Sequence, residues 1–173
     1  MKTRSISIFS ILALLVVLII ACQKNNNGDN ITNLKIRLTD NPFNATEVNV
    51  DIREVRINLR DDSSGWTNLN TNAGIYNLLA LQNGVDTLLA TGTVPTGTLK
   101  EVRLILGNDN SIKINNTIYP LTIPSSSESG LKIKLNKKLN ASIDSLLIDF
   151  DAALSILRTG SGDYKLKPVL KIK

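Results

Sequence analysis

The chain of 173 residues contains no histidine. That absence removes Ser-His-Asp and Cys-His nucleophile pairs, imidazole-ligated zinc and the commonest general base together. There is one cysteine, Cys22, and a lone cysteine closes no internal disulfide. Aromatic residues make up only 4% of the chain, with a single tryptophan, Trp66, so stacking platforms are scarce. No glycine-rich phosphate loop stands between a strand pattern and a helix pattern, and neither a repeat of solenoid period nor a long helical window is visible. Chemistry here would have to run on carboxylates, or on a serine with a lysine. The expectation is a non-catalytic protein that needs no cofactor.

What is present begins with a leader. Lys2 and Arg4 precede an apolar stretch from Ile6 to Ile20, broken only by Ser7 and Ser10 and closed by Ala21-Cys22. That is the layout of a secretory signal, and the run falls short of the about 20 apolar residues needed to cross a bilayer. Residues 1–21 are therefore read as a signal peptide. Its end, "LIIAC", resembles the lipobox of bacterial lipoproteins. The resemblance implies that Cys22 becomes the mature first residue, carrying a thioether-linked diacylglycerol and an N-acyl chain. Two or more acyl chains make a stable anchor where one is marginal, and acylation removes a thiol that would otherwise mispair in an oxidising compartment. Gln23 rather than Asp follows the cysteine, so nothing resembles the inner-membrane retention signal, and the bacterial outer membrane is the expected location. Lys24 and Asn25 to Asn27 stand where surface-export signals of related lipoproteins place acidic residues, which leaves both the periplasmic and the cell-surface face open.

Residues 22–32 read as the lipidated cysteine and a polar tether rich in Asn, with an end-to-end distance of roughly 15–20 Å for about ten residues. Residues 33–173 read as one domain, and an apolar share of 42% is enough for a core. Without residues 1–21 the net charge is +3, because the leader takes two of the 20 basic residues and none of the 15 acidic ones. A charge that mild gives no case for nucleic acid. The expected partners are the membrane, through the anchor, and an envelope protein or polysaccharide.

From Leu34 onward the pattern is period two. Leu34, Ile36 and Leu38 alternate with Lys35, Arg37 and Thr39; Val102, Leu104 and Leu106 alternate with Glu101, Arg103 and Ile105; Leu131, Ile133 and Leu135 alternate with Lys132 and Lys134. The stretch from Tyr164 to Lys173 alternates in the same way. Strands with one wet face, separated by Gly, Asn, Asp, Ser and Pro clusters, predict an all-β protein. The expected architecture is an antiparallel β-sandwich, Ig-like or a transthyretin-like Greek key, with one or two short helical turns. In "VNVDIREVRINL" the apolar phase slips between Ile52 and Val55, which predicts a bulge near Arg53 to Val55. Asn115-Asn116 predicts a two-residue hairpin turn. One short helix is expected over 151–157, capped by Asp151, and another over 76–84, ending at Gly84. Residues 61–65 and 124–130 read as loops.

The candidate sites are few. Asp149 and Asp151 lie two apart, about 6.6–6.8 Å if extended, a spacing compatible with two ligands of a hard cation or loosely with a glycosidase pair. The plainer reading is that Asp151 caps a helix and Asp149 bonds a loop. Asp40, before Asn-Pro, reads as an Asx-type turn and as a third candidate Ca²⁺ ligand, without sequential EF-hand spacing to support it. Ser125 and Glu128 have the form of a capping box but no apolar helical run follows, so they read as loop. Trp66 serves either sheet packing or sugar stacking. The row Lys165, Lys167, Lys171, Lys173 reads as a solvated strand face that discourages edge pairing, or as a contact for anionic lipid headgroups or polysaccharide.

Taken together, "RLTDNPFNATEVNVDIREVRINL", "LLALQNGVDTLLATGTVPTG" and "LLIDFDAALSILRTGSGDYKLKPVLKIK" resemble domain of unknown function family 4382, from about Leu34 to Lys173. The specific pieces are the "LTD-x-P" start, "LLA-x-G" before "VP-x-G", and the "DFDA…KP" end. The resemblance implies an exported β-sandwich domain of lipoproteins in Bacteroidetes-type bacteria and no activity. Three readings of role follow: a lipid-anchored envelope domain acting in binding or assembly, a surface binder of glycan or Ca²⁺, or a fimbria-like subunit that exchanges a strand.

Overall fold

The computed structural model describes residues 30–41, 45–62, 64–124 and 130–173. The residues read as signal peptide, Cys22, the stretch read as tether as far as Asp29, and residues 125–128, read as loop, lie outside them. Fourteen strands occur among the described residues: β1 (Ile31–Thr39), β2 (Glu47–Asn58), β3 (Trp66–Asn68), β4 (Asn70–Thr71), β5 (Gly74–Asn77), β6 (Thr87–Pro95), β7 (Thr98–Leu106), β8 (Ser111–Ile114), β9 (Thr117–Thr122), β10 (Leu131–Lys138), β11 (Ser142–Phe150), β12 (Ile156–Arg158), β13 (Tyr164–Leu166) and β14 (Leu170–Ile172). One sheet has the order β14-β11-β1-β6-β4 and the other β10-β7-β2-β8-β9-β13-β12, with β3 and β5 also paired to β2. The inward residues of the alternating strands meet between them: Leu34, Ile36 and Leu38 from β1, Ile148 and Phe150 from β11, and Val102 and Leu104 from β7 are fully buried in one cluster. The expected all-β sandwich is what the chain forms.

Two features differ from a purely antiparallel reading. β1 runs parallel to β11 in register from Thr32↔Ser142 to Thr39↔Asp149, and β13 runs parallel to β9. Parallel neighbours need a crossover, and β11 reaches β1 only after the chain has passed through the other sheet. The stretch from Tyr164 to Lys173 is also not one strand. Tyr164–Leu166 joins the second sheet and Leu170–Ile172 the first. Pro168, which has no N–H to give a ladder, sits at the crossing, and Ser155 pins it by accepting from Lys167 N through its carbonyl (2.8 Å) and from Val169 N through Oγ (2.8 Å).

Local expectations fare well. The register of β2 against β7 slips between Ile52 and Glu54, so Val55 and Ile57 return to the core. Asn115 (φ 48°) and Asn116 (φ 63°) form the two-residue turn between β8 and β9. Asp151 caps a one-turn helix, α1 (Ala152–Ser155), by accepting from Leu154 N. The helix expected over 76–84 shrinks to a 3₁₀ turn at Leu78–Leu81 capped by Asn77, because Tyr76 and Asn77 are held in β5 by Val50 and Asn49. Gly84 (φ 85°) lies in the turn that follows. Strand β1 starts inside the stretch read as tether: Thr32 is fully buried, its hydroxyl donating to Asn140 O at 2.6 Å.

Candidate functional site

The loop after β2 is built on Asn58, which is almost fully buried. Its amide nitrogen donates to Asp62 O (2.7 Å) and its Oδ1 accepts from Arg60 N (2.8 Å). Asp62 in turn accepts from Ser64 N and Ser64 Oγ, which holds its carboxyl below the usual range. Gly65 passes so close that a Cβ there would stand 2.2 Å from Asn58 Oδ1. The result is a tight reversal that sets Trp66 opposite Asn58 at the head of β3.

From there Trp66 meets Arg103 of β7, whose guanidinium carbon is 3.9 Å from the ring centroid, a cation–π contact of about 0.5–1 kcal/mol when partly exposed. Gly130 (φ 93°) lies against the same arginine, and a Cβ on it would come within 2.9 Å of Arg103 Cγ. Around this stack the wet face of the sheet forms a concavity of about 440 Å³ that also takes in Arg60, Lys100, Lys132 and Lys134. Across the strands Lys132 stands opposite Arg103, and Arg103 opposite Arg56. Like charges directly opposite one another destabilise a sheet, yet here only Arg56 is relieved, by Glu54 at 2.6 Å. Among the described residues Arg60, Arg103, Lys132 and Lys134 have no ion-pair partner within 4 Å, and Arg103 Nε is buried without a hydrogen bond. The acidic residues of the concavity are Glu101, Asp62 and Asp61, the last a loose partner of Lys100 at 3.5 Å. The surplus is basic.

The aspartates gather at the opposite end of the sandwich. The turn expected after Asp40 runs into residues 42–44, outside the described residues; within them, Asp40 Oδ1 accepts from Ala152 N (2.9 Å) and Oδ2 from the Gln82 amide (3.2 Å). Burial pushes its carboxyl up, the Ala152, Gln82 and Asn41 donors offset part of the rise, and the charge of Asp149 adds to it. Burial also works against ionisation of Asp151, but Lys171 (2.9 Å), Leu154 N and the Asn41 amide outweigh it and hold that carboxyl low. Asp149 is fully buried beside Thr39 and Lys171. Lys173 Nζ lies 3.0 Å from its Oδ2, off the hydrogen-bond direction, so the ion pair leaves both carboxylate oxygens without a hydrogen bond. Lysine ammoniums thus stand where a cation would, and among the described residues no three acidic or sulfur side chains converge on a metal position. The lysine row is split accordingly: Lys171 and Lys173 are tied to these carboxylates on one sheet, while Lys165 lies on the other.

The concavity collects residues that the sequence pattern places only as outward positions. Lys132, Lys134 and Arg103 alternate visibly with core residues, but the pairing of β10 with β7 and the reach of Trp66 across β2 have no local signal. Among the described residues no helix is long and apolar enough to cross a membrane. The family model described as Domain of unknown function (DUF4382) matches residues 31–168. No curated protein matches, and no solved structure matches.

Proposed function

The chain belongs to the DUF4382 family, and on that premise we propose that it is a lipid-anchored domain of the bacterial outer membrane with a non-catalytic binding role. The observation that carries the reading is Cys22, the one cysteine of the chain, at the junction of an apolar leader and a polar tether that ends where β1 begins. The cysteine attaches the protein, the tether spaces it, and the wet face bearing Trp66 and Arg103 is the working surface. No histidine supplies a base, and Asp151 is occupied as a helix cap paired to Lys171.

The test is to follow Cys22→Ala beside the parent chain in cells fed labelled palmitate. The parent is expected in the membrane fraction with label, and the variant unlabelled and unprocessed. A variant that takes up as much palmitate as the parent overturns the reading. Binding of Ca²⁺ is not favoured, because Lys171 and Lys173 already neutralise the aspartates.

A further inference from the structure

We propose that the Trp66–Arg103 concavity takes an anionic phosphate headgroup of the membrane that holds the anchor, so that the domain lies against the bilayer rather than standing clear of it. The inference rests on the acylation of Cys22 for its geometry. Asn30, the first described residue, accepts from Thr96 N at 2.7 Å, and Leu139 N donates to Gly97 O at 2.8 Å. The hairpin between β6 and β7 therefore fixes the tether's exit beside the end of β10, where Thr98 pairs with Lys138. The concavity begins two residues further along each of those strands, at Lys100 and Asn136, a step of about 7 Å. Seven residues lie between Cys22 and Asn30, and the eight residue steps reach no more than about 28 Å fully extended. An anchored Cys22 thus puts the concavity within reach of the lipid surface.

The chemistry at that end fits the surface it faces. Arg103 offers a planar fork of donors, and that geometry matches phosphate oxygens. Lys132, Lys134 and Arg60 stand around it without ion-pair partners among the described residues. Trp66 is an amphipathic ring of the kind that settles at headgroup level. On the outer face of the other sheet Arg37 is paired with Asp86, Lys171 with Asp151 and Lys173 with Asp149, and among the described residues only Lys35 stands there without an ion-pair partner.

Because Trp66 is the only tryptophan, its emission reports on the concavity alone. The acylated protein is reconstituted in vesicles of phosphatidylcholine, with or without phosphatidylglycerol, each with a nitroxide quencher at headgroup depth. The expected result is a blue-shifted emission and at least a twofold stronger quenching on the anionic vesicles, reversed by high salt. The Lys132→Glu/Lys134→Glu chain should stay attached through its lipid, keep the parent circular dichroism, melt at or above the parent temperature because Lys132 no longer opposes Arg103, and show the weaker quenching of neutral vesicles. Should that chain fold poorly, Lys132→Gln/Lys134→Gln replaces it. Equal quenching on both vesicle types overturns the proposal. So does a spectral change on adding soluble polygalacturonate that anionic vesicles do not produce, which would make the concavity a saccharide site. Failure of the anchoring reading shows separately, as a Cys22 peptide without acyl mass; unacylated protein added to the same vesicles then still reads the concavity.

Discussion

Asp40 and Asp151 serve the same helical turn and are driven in opposite directions. Asp40 is raised by burial, so the fold favours its protonated form, and that contribution is present below the ordinary carboxylate value and lost as pH rises through the raised one. Asp40→Asn keeps an acceptor for Ala152 N and removes a buried charge. It is expected to melt at or above the parent temperature at pH 7, with the difference closing as the buffer is acidified through the carboxylate range. Asp151 is depressed, with Lys171 the leading favourable partner, so its contribution is present above the ordinary value and disappears as pH falls through the lowered one. Asp151→Ala loses the cap of α1 and should cost about 1–2 kcal/mol in urea unfolding at pH 7, and progressively less in acid. If Asp40→Asn instead costs as much as Asp151→Ala at neutral pH, the assignment of opposite shifts is wrong.

Elements were legible in the sequence to the extent that a local cause makes them. Alternation marks β1, β7 and β10 because one face of each is wet. The slip in β2 and the Asn115-Asn116 turn show because a changed phase and a positive φ each demand particular residues at particular positions. Asn116→Val is expected to cost about 1–2 kcal/mol, the strain of a β-branched residue in a left-handed position, read as a lower denaturation midpoint with unchanged slope; an unchanged midpoint would mean that the hairpin tolerates another turn. What stayed hidden is non-local. The alternation from Tyr164 to Lys173 continues across Pro168 although the chain changes sheets there, since both sheets ask for period two. The helix expected at Tyr76 yields to pairing with β2, a partner far back in the chain. The concavity was illegible for the same reason. Its stack joins β3 to β7 across β2, and only the assembled sheet puts Trp66 over Arg103.

At the scale of the molecule the two ends of the sandwich differ in kind. The end at which β1 finishes holds the buried Asp40, Asp149 and Asp151, whose charges are met by lysines or backbone donors, an arrangement that serves the fold. The end at which β1 begins holds basic groups in surplus and the half-buried Trp66. Sheet edges add to the contrast: β14 and β4 are very short, and the longer edge strand β10 carries Lys132, Lys134, Lys137 and Lys138, residues that oppose pairing with another chain and disfavour the strand-exchanging subunit. Both the anchoring and the headgroup contact depend on attachment at Cys22, and the decisive measurement is the mass of the N-terminal peptide of the protein purified from membranes. The predicted result is a peptide that begins at Cys22 and carries diacylglycerol with or without a third acyl chain. A peptide that retains residues before Cys22, or one in which the thiol of Cys22 is free, would contradict it.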